Sequence, residues 1–394
     1  MEARSARAVA GEPRGGRIDG AKLALSFLMP LAGVAVALAF GAVALLALRV
    51  NPLVAYGAML HGALGSTFGL TQTLVKATPL LLVGSGICIA FRANVINIGG
   101  EGQIIVGALA GAAIPLGLPG FPAWALVPLA CLGGFLAGTA WGFIPGILKA
   151  KLRVNEILST IMMNAVAQQL MMLLLQGPLM DPEGVKKGTF LAQSAQLPKA
   201  AWLPRLVPRT LLHAGAIVAL ALAVCAWVLL WKTGLGFRIR AVGLNPRASR
   251  YSGIRVPLYE ALALSLAGGF AGLAGAIEVI GVQHRLMDGL TSGYGFTGIV
   301  AALLGGLHPL GLIPSSILFG GLLVGADMMQ RAVQVPSSLI TAILGLVVLF
   351  VSGSALWTRR WSARRAAAAA GRALAVDEAC LDPAPEASSE GAAS

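Results

Sequence analysis

Apolar residues in this chain come in long, nearly uninterrupted runs, separated by short polar or basic stretches. The runs are Leu23 to Leu48, Thr71 to Phe91, Gln103 to Leu118, Ala123 to Leu148, Ile157 to Leu175, Leu211 to Trp231, Leu258 to Val282, Phe296 to Leu307, Leu310 to Met328 and Ser338 to Leu356. Runs of this length read as membrane-crossing helices, so the pattern predicts an all-α polytopic membrane protein with about ten transmembrane segments. Two places depart from the pattern. In FRANVINIGGEGQIIVGALAG, Phe91 to Gly111, an apolar run stops at Arg92, passes through polar residues and glycines, then resumes. From His284 to Gly295 a polar, glycine-rich stretch leads into a short apolar piece only. Irregular backbone at membrane depth is tolerated where protein or a water-filled cavity satisfies its polar groups, so both breaks point to a transport path.

The breaks resemble each other. GEGQIIVGALAG from Gly100 aligns with GYGFTGIVAALL from Gly293, and each follows a long span and precedes a short one. Five crossings separate the copies, so the expected architecture is an inverted internal repeat with broken helices and a pathway at the repeat interface. Asn94, Asn97, Glu101 and Gln103 in the first break, and Glu278, Tyr294 and Thr297 before or within the second, are the candidate pathway residues. Asn97 and Glu101 equally suit a second role, capping the short span that follows them.

Composition supports the membrane assignment, with 57% hydrophobic and 11% charged residues, against about 25% charged in soluble domains. The net charge of +13 is distributed as topology signals, beside the apolar runs and without aromatic interleaving, which excludes nucleic acid as the natural partner and favours the lipid bilayer. Lys149, Lys151 and Arg153, the six bases between Lys232 and Arg255, and Arg359 to Arg365 mark one side as cytoplasmic. The expected organisation is a disordered cytoplasmic tail over residues 1–22, a transmembrane domain over 23–358 with an external loop at 176–210 and a cytoplasmic loop at 232–257, and a disordered cytoplasmic tail over 359–394. The first apolar run exceeds the length of a signal-peptide core and reads as a retained span. Little charge between Arg49 and Leu70 predicts an external connection.

Motifs for chemistry are missing. Gly293 to Gly298 spells GxGxxG but lacks the strand and βαβ context of a dinucleotide site. No GxxxxGK[ST] loop occurs, and neither HExxH nor GxSxG occurs. Four histidines and four cysteines show no metal-ligand spacing, so neither a metal nor a cofactor is expected. Glu156, beside Lys149 to Arg153, reads as a charge partner at a helix start, and Asn164, Gln168 and Gln169 as interface residues. In GLGFRIRAVGLNPRASRYSGIRVP, Gly234 to Pro257, Asn245 can cap a helix whose first residue is Pro246, and Gly253 can stop it. That short helix would carry Arg247 and Arg250 on one face, able to meet an acidic partner.

FRANVINIGGEGQIIVGALAG, VNEILSTIMMNAVA at Val154 to Ala167 and RAVGLNPRASRYSGI at Arg240 to Ile254 together resemble the permease subunits of the branched-chain amino acid and simple-sugar class of ABC importers, and within it the nucleoside-uptake permeases. The resemblance implies a bacterial cytoplasmic-membrane protein working with two ATP-binding subunits, a second related permease or its own copy, and an external substrate-binding protein. ATP would be used by the partners. Gly243, Asn245, Pro246, Arg247, Arg250 and Gly253 would form the coupling helix that docks on the ATPase. The residues alone leave one alternative open, a secondary transporter or channel of inverted-repeat architecture working without an ATPase.

Overall fold

The computed structural model describes residues 20–186, 188 and 191–336, with isolated positions between 339 and 353, and side chains from residue 32 onward. The predicted span at Ser338 to Leu356 and the predicted tails lie largely outside the described residues. One compact unit, Ala37–Val348, contains the end of α1 and every element from α2 to α13.

Helices α1 (Gly20–Ala47), α2 (Pro52–Leu64), α3 (Thr67–Arg92), α4 (Gly100–Gly117), α5 (Ala123–Leu152), α6 (Glu156–Leu175), α7 (Pro182–Lys186), α8 (Gly215–Lys232), α9 (Gly234–Leu244), α10 (Pro246–Tyr251), α11 (Val256–Glu278), α12 (Tyr294–Leu304) and α13 (Pro309–Val333) follow in order. Among the described residues seven helices are long and apolar enough to cross a membrane, and shorter apolar helices accompany them at Ala32–Ala47, Pro52–Leu64 and Tyr294–Leu304. The protein is therefore an all-helical, polytopic membrane protein.

Two connections expected as loops are helical. Between Arg49 and Leu70, expected as a connection from its low charge, Asn51 accepts from the Leu53 amide and Pro52 opens α2, which packs against α13 and α3. Likewise the basic segment after α8 starts as α9, with the Thr233 hydroxyl capping it at the Gly236 amide.

Burial separates the long helices. α11 and α3 are enclosed along most of their length, whereas α5 and α6 leave most of their apolar surface open. Lipid tails or another protein must cover those open faces. α11 packs chiefly on α5, then on α4 and α3. Gly272 of α11 meets Gly138 of α5 so closely that a Cβ on either would collide with the other's backbone, the small-residue contact that membrane helices use.

The long connection between α6 and α8 is ordered by bonding to the chain beyond α11. Ser194 N–H donates to Leu286 O (2.8 Å), Leu197 N–H to His284 O (2.9 Å) and Leu203 N–H to Ile280 O (3.0 Å). The Leu286 amide returns a bond to Ser194 Oγ at 2.9 Å, and Trp202 stacks on His284 at 3.9 Å.

Candidate translocation site

Both predicted breaks exist, and they converge. α3 ends at Arg92, where Asn94 adopts a left-handed φ of 58°, a conformation asparagine tolerates better than most residues. The backbone is irregular until α4 starts at Gly100. In the second half α11 runs into a π-helical turn, Val279–Gln283, which His284 closes with a left-handed φ of 54°. An irregular stretch then leads to α12, whose 11 residues give about 16 Å of helix, roughly half of a 30 Å hydrocarbon core.

The starts of α4 and α12 lie against each other. A Cβ placed on Gly100 would be 3.2 Å from Gly295 Cα, and one on Gly295 would strike the Glu101 amide. Glu101 makes the joint polar. Its Oε1 accepts from the Gly295 amide at 2.8 Å and from the Phe296 amide at 3.4 Å, and the Thr291 side chain bonds the same carboxyl. Of the two roles expected for Glu101, capping is the one the geometry displays, and the helix it caps is α12 rather than its own. The reason is positional: Glu101 sits inside the first turn of α4, so its carboxylate points away from the free N–H groups behind it and toward those of the opposing helix.

Asn97 also works at a distance from the expected cap. Its Oδ1 accepts from the Gly99 amide (2.9 Å), its Nδ2 donates to Gln103 Oε1 (2.9 Å), and Gln103 Nε2 returns a bond to Asn97 Oδ1 at 3.3 Å. These buried amides brace the loop against the first turn of α4. Asn164 of α6 supplies the cap, accepting from the Gly102 amide (2.8 Å) and donating to Ile98 O (3.0 Å). The Thr160 hydroxyl lies 3.4 Å from the Ile98 amide. Spacing along α6 had marked Asn164 only as an interface residue; its partner is the break itself. Glu156, at the start of the same helix, pairs with Lys149 at 2.6 Å, as its neighbours predicted. Gln168 donates to Asp288 Oδ1 at 2.7 Å, so α6 touches both irregular segments.

Beside the joint lies a second polar group, and it contains a residue that the sequence pattern had not singled out. Lys76, in the interior of α3, donates to the buried Tyr294 hydroxyl at 2.8 Å and lies 5.4 Å from that ring's centre. Its charge also acts on Glu278, which bonds the Gln283 side chain. The signal for Lys76 was present, since an ionisable group within an apolar span is costly and seldom idle. Asn94 and Thr297 stand outside these hydrogen-bonded groups among the described residues. Asn94 is exposed in its turn, and Thr297 is half-buried on α12.

The cytoplasmic-loop candidates form the expected capped turn. Asn245 Oδ1 accepts from the Arg247 and Ala248 amides, both at 3.1 Å, Pro246 begins α10, and Gly253 closes it with φ of +77°. Arg247 and Arg250 are exposed, and beside them Leu244 and Tyr251 are 88% and 95% exposed. The turn thus presents large apolar side chains beside two arginines.

An all-helical membrane protein whose interrupted segments meet inside the helix bundle is built to pass solute, and comparison with known sequences identifies the class. Residues 69–352 match the family described as branched-chain amino acid transport system / permease component, and the chain belongs to this family. It is similar to the glucose ABC transporter permease protein TsgB13 of Haloferax volcanii, with 39% identity over 85% of this chain and 89% of the relative. It is 37% identical to the guanosine ABC transporter permease protein NupP of Bacillus subtilis over 83% of this chain and 93% of the relative. A second guanosine permease protein of that organism, NupQ, is 29% identical over 63% of this chain and 78% of the relative. No solved structure matches. The chain is thus the permease of an ABC importer, a transporter subunit and not itself an enzyme, with ATP hydrolysed by a partner subunit. Membership in this family also decides against a transporter that works without an ATPase.

Proposed function

We propose that this permease carries nucleosides, or closely related sugar-like solutes, into the cell through a path that passes the joint between α4 and α12. The observation that carries the proposal is the cap made by Glu101 on α12: the two interrupted segments share one polar junction, so α12 cannot move without giving up a bond to the first segment. Asn97, Glu101, Gln103, Glu278, Tyr294 and Lys76 offer hydrogen-bonding groups suited to hydroxyls and ring heteroatoms, and the carboxylates are balanced in part by Lys76. That balance favours neutral polar solutes. Asn94 and Thr297 belong to the same segments and would meet solute only as these rearrange.

The chain is taken to have ten crossings in an inverted repeat, with residues 1–22 and 359–394 as cytoplasmic tails around a transmembrane domain at 23–358. The short α12 and the opposed starts of α4 and α12 support the inversion. Charge supports an orientation with Lys149, Lys151 and the loop at 232–257 inside the cell and the loop at 176–210 outside, as for a bacterial inner-membrane protein. In that orientation α10, with Gly243, Asn245, Pro246, Arg247, Arg250 and Gly253, is the coupling helix for one of two ATP-binding subunits. A second permease completes the pore; the match to two different guanosine permease proteins of one organism favours a related partner over an identical copy. An external binding protein delivers the solute.

The test is uptake by proteoliposomes holding the permease, its genomic neighbours and the cognate binding protein. Labelled guanosine should accumulate with ATP, and unlabelled nucleosides should compete more strongly than glucose. Accumulation of glucose alone would overturn the substrate assignment, and accumulation without the ATPase subunits would overturn the mechanism.

A further inference from the structure

The indole of Trp231, at the end of α8, is touched by cationic or imidazole side chains from three separate segments. The Arg92 guanidinium carbon lies 5.1 Å from its ring centre and that of Arg240 lies 5.7 Å away. The His308 ring centre is 4.5 Å from it, tilted by 47°. Arg92 is the last residue of α3 before the first break. Arg240 belongs to α9, the stem from which the capped turn α10 projects. His308 ends the connection between α12 and α13, where its Nδ1 caps the Leu310 amide at 3.3 Å.

Two further contacts tighten the same junction. Arg92 donates through Nε (3.2 Å) and a terminal nitrogen (3.1 Å) to Leu307 O, whose residue has a left-handed φ of 55°. Gly243, in the last turn of α9, sits so near the Arg92 carbonyl that any Cβ would overlap it. Val242 and Ile239 of α9 are fully buried, so this stem is fixed to the body and not a free linker. Arg240 Nε is buried with no hydrogen-bond partner, so its guanidinium is not anchored by a bond at that nitrogen, and the Trp231 face is the contact that the structure displays for it.

We infer that Trp231 is a positioning residue for transport: with Gly243 it joins the stem of α10 to the ends of both interrupted segments, so that displacement of α10 is delivered to the first break through Arg92 and to α12 through Leu307 and His308. The inference rests on α10 being the helix that docks on the ATPase. It adds the route by which docking is converted into movement of the path. A rigid joint of this kind passes force because packed side chains shift between discrete arrangements and do not deform continuously.

The experiment uses the assembled transporter with its binding protein in proteoliposomes and reads ATP hydrolysis and solute uptake from the same preparation. Trp231→Leu should assemble with its ATPase subunits and keep hydrolysis within about twofold of the parent, since α10 and its exposed face are untouched, while uptake per ATP falls about tenfold or more. Trp231→Phe, which keeps a cation-binding ring, should retain most of the coupling. Arg240→Gln, which takes the α9 cation off the Trp231 face, should resemble Trp231→Leu. An unchanged ratio of uptake to hydrolysis in Trp231→Leu would overturn the inference. If that variant fails to assemble, Arg240→Gln decides, and an unchanged ratio in it rejects the route. Failure of the docking role itself has a different signature: Arg247→Glu with Arg250→Glu would then still co-purify with the ATPase and hydrolyse ATP at the parent rate.

Discussion

The two irregular segments face each other across one joint yet are held by different means. The first, between Arg92 and Gly100, is fastened by side-chain amides: Asn97 to Gln103 and Gly99, and Asn164 to Gly102 and Ile98. The second, between Gln283 and Tyr294, is fastened by the long connection laid along it, through Ser194 and Leu197, and by a carboxylate borrowed from the first half. The dependence runs one way. The first segment is complete without the second, whereas α12 has no side-chain cap of its own and relies on Glu101. In an importer that alternates its access, such asymmetry lets the second segment reposition while the first serves as its reference.

The most direct way to break this comparison is Glu101→Ala. It leaves the buried Gly295 amide without its acceptor, a cost of about 1–3 kcal/mol for an unsatisfied group, and uptake should fall about tenfold or more in proteoliposomes. Glu101→Gln keeps an acceptor at the same position and should recover most of the loss. Equal uptake by parent and Glu101→Ala would show that α12 does not lean on the first half.

Asn164→Ala attacks the first segment by itself. Two hydrogen bonds at about 1 kcal/mol each go with it, and the purified transporter should unfold at lower temperature while exchange of the Gly102 amide with solvent quickens. Amides of 284–292 should exchange at the parent rate. Acceleration there would mean that the two segments are fastened together after all.

Acidification should act on the second segment alone, because Asn97, Gln103, Asn164 and Thr160 carry no group that titrates in the usable range. Burial, with a smaller contribution from His284, holds the His213 imidazole down to about 4 from the usual 6.5. His284 is lowered by burial and by Arg205. A histidine whose folded value lies below its unfolded one contributes full stability above the unfolded value, and that contribution is lost as pH drops from about 6.5 towards 4. Between pH 7 and 5 the loss amounts to about 2 kcal/mol for His213. Hydrogen exchange over 194–213 and 280–292 should therefore accelerate on acidification, and 93–100 should remain unchanged. His213→Gln should flatten that dependence.

How much of this could be read from the chain differs between the two segments for a physical reason. Seven long apolar helices, both breaks, the short α12 and the capped turn at α10 were legible because apolar run length, glycine clusters and the Asn245, Pro246 and Gly253 arrangement are local properties. α2 was missed because low charge was taken as the mark of a connection, although Asn51 and Pro52 carried a helix-start signal. The partners of Glu101 and Asn164 were not legible. Each bonds backbone contributed by a helix distant in sequence, 194 residues away for Glu101 and Gly295 and 62 for Asn164 and Gly102, and side-chain type does not encode which distant amide is left free. Lys76 was legible in principle as the lone charged residue within its span, Thr71 to Phe91. The order of the long connection was obscured because its bonds to 280–286 are mostly between backbone groups, which every sequence offers.

Ser194→Ala should have the smallest effect and discriminates most finely between the two ways of holding a loop. The hydroxyl accepts from the Leu286 amide at 2.9 Å, but the neighbouring bond from the Ser194 amide to Leu286 O does not involve the side chain and stays in place. One lost bond of about 1 kcal/mol should raise exchange of the Leu286 amide severalfold and lower uptake by less than twofold. The difference from Asn164→Ala follows from what each residue supports: alanine at 164 removes two bonds that only a side chain can make, whereas alanine at 194 leaves the backbone ladder along 194–203 in place. A larger loss of uptake than in Asn164→Ala would reverse the comparison, making the covering connection, and not the amide brace, the part that keeps the path in register.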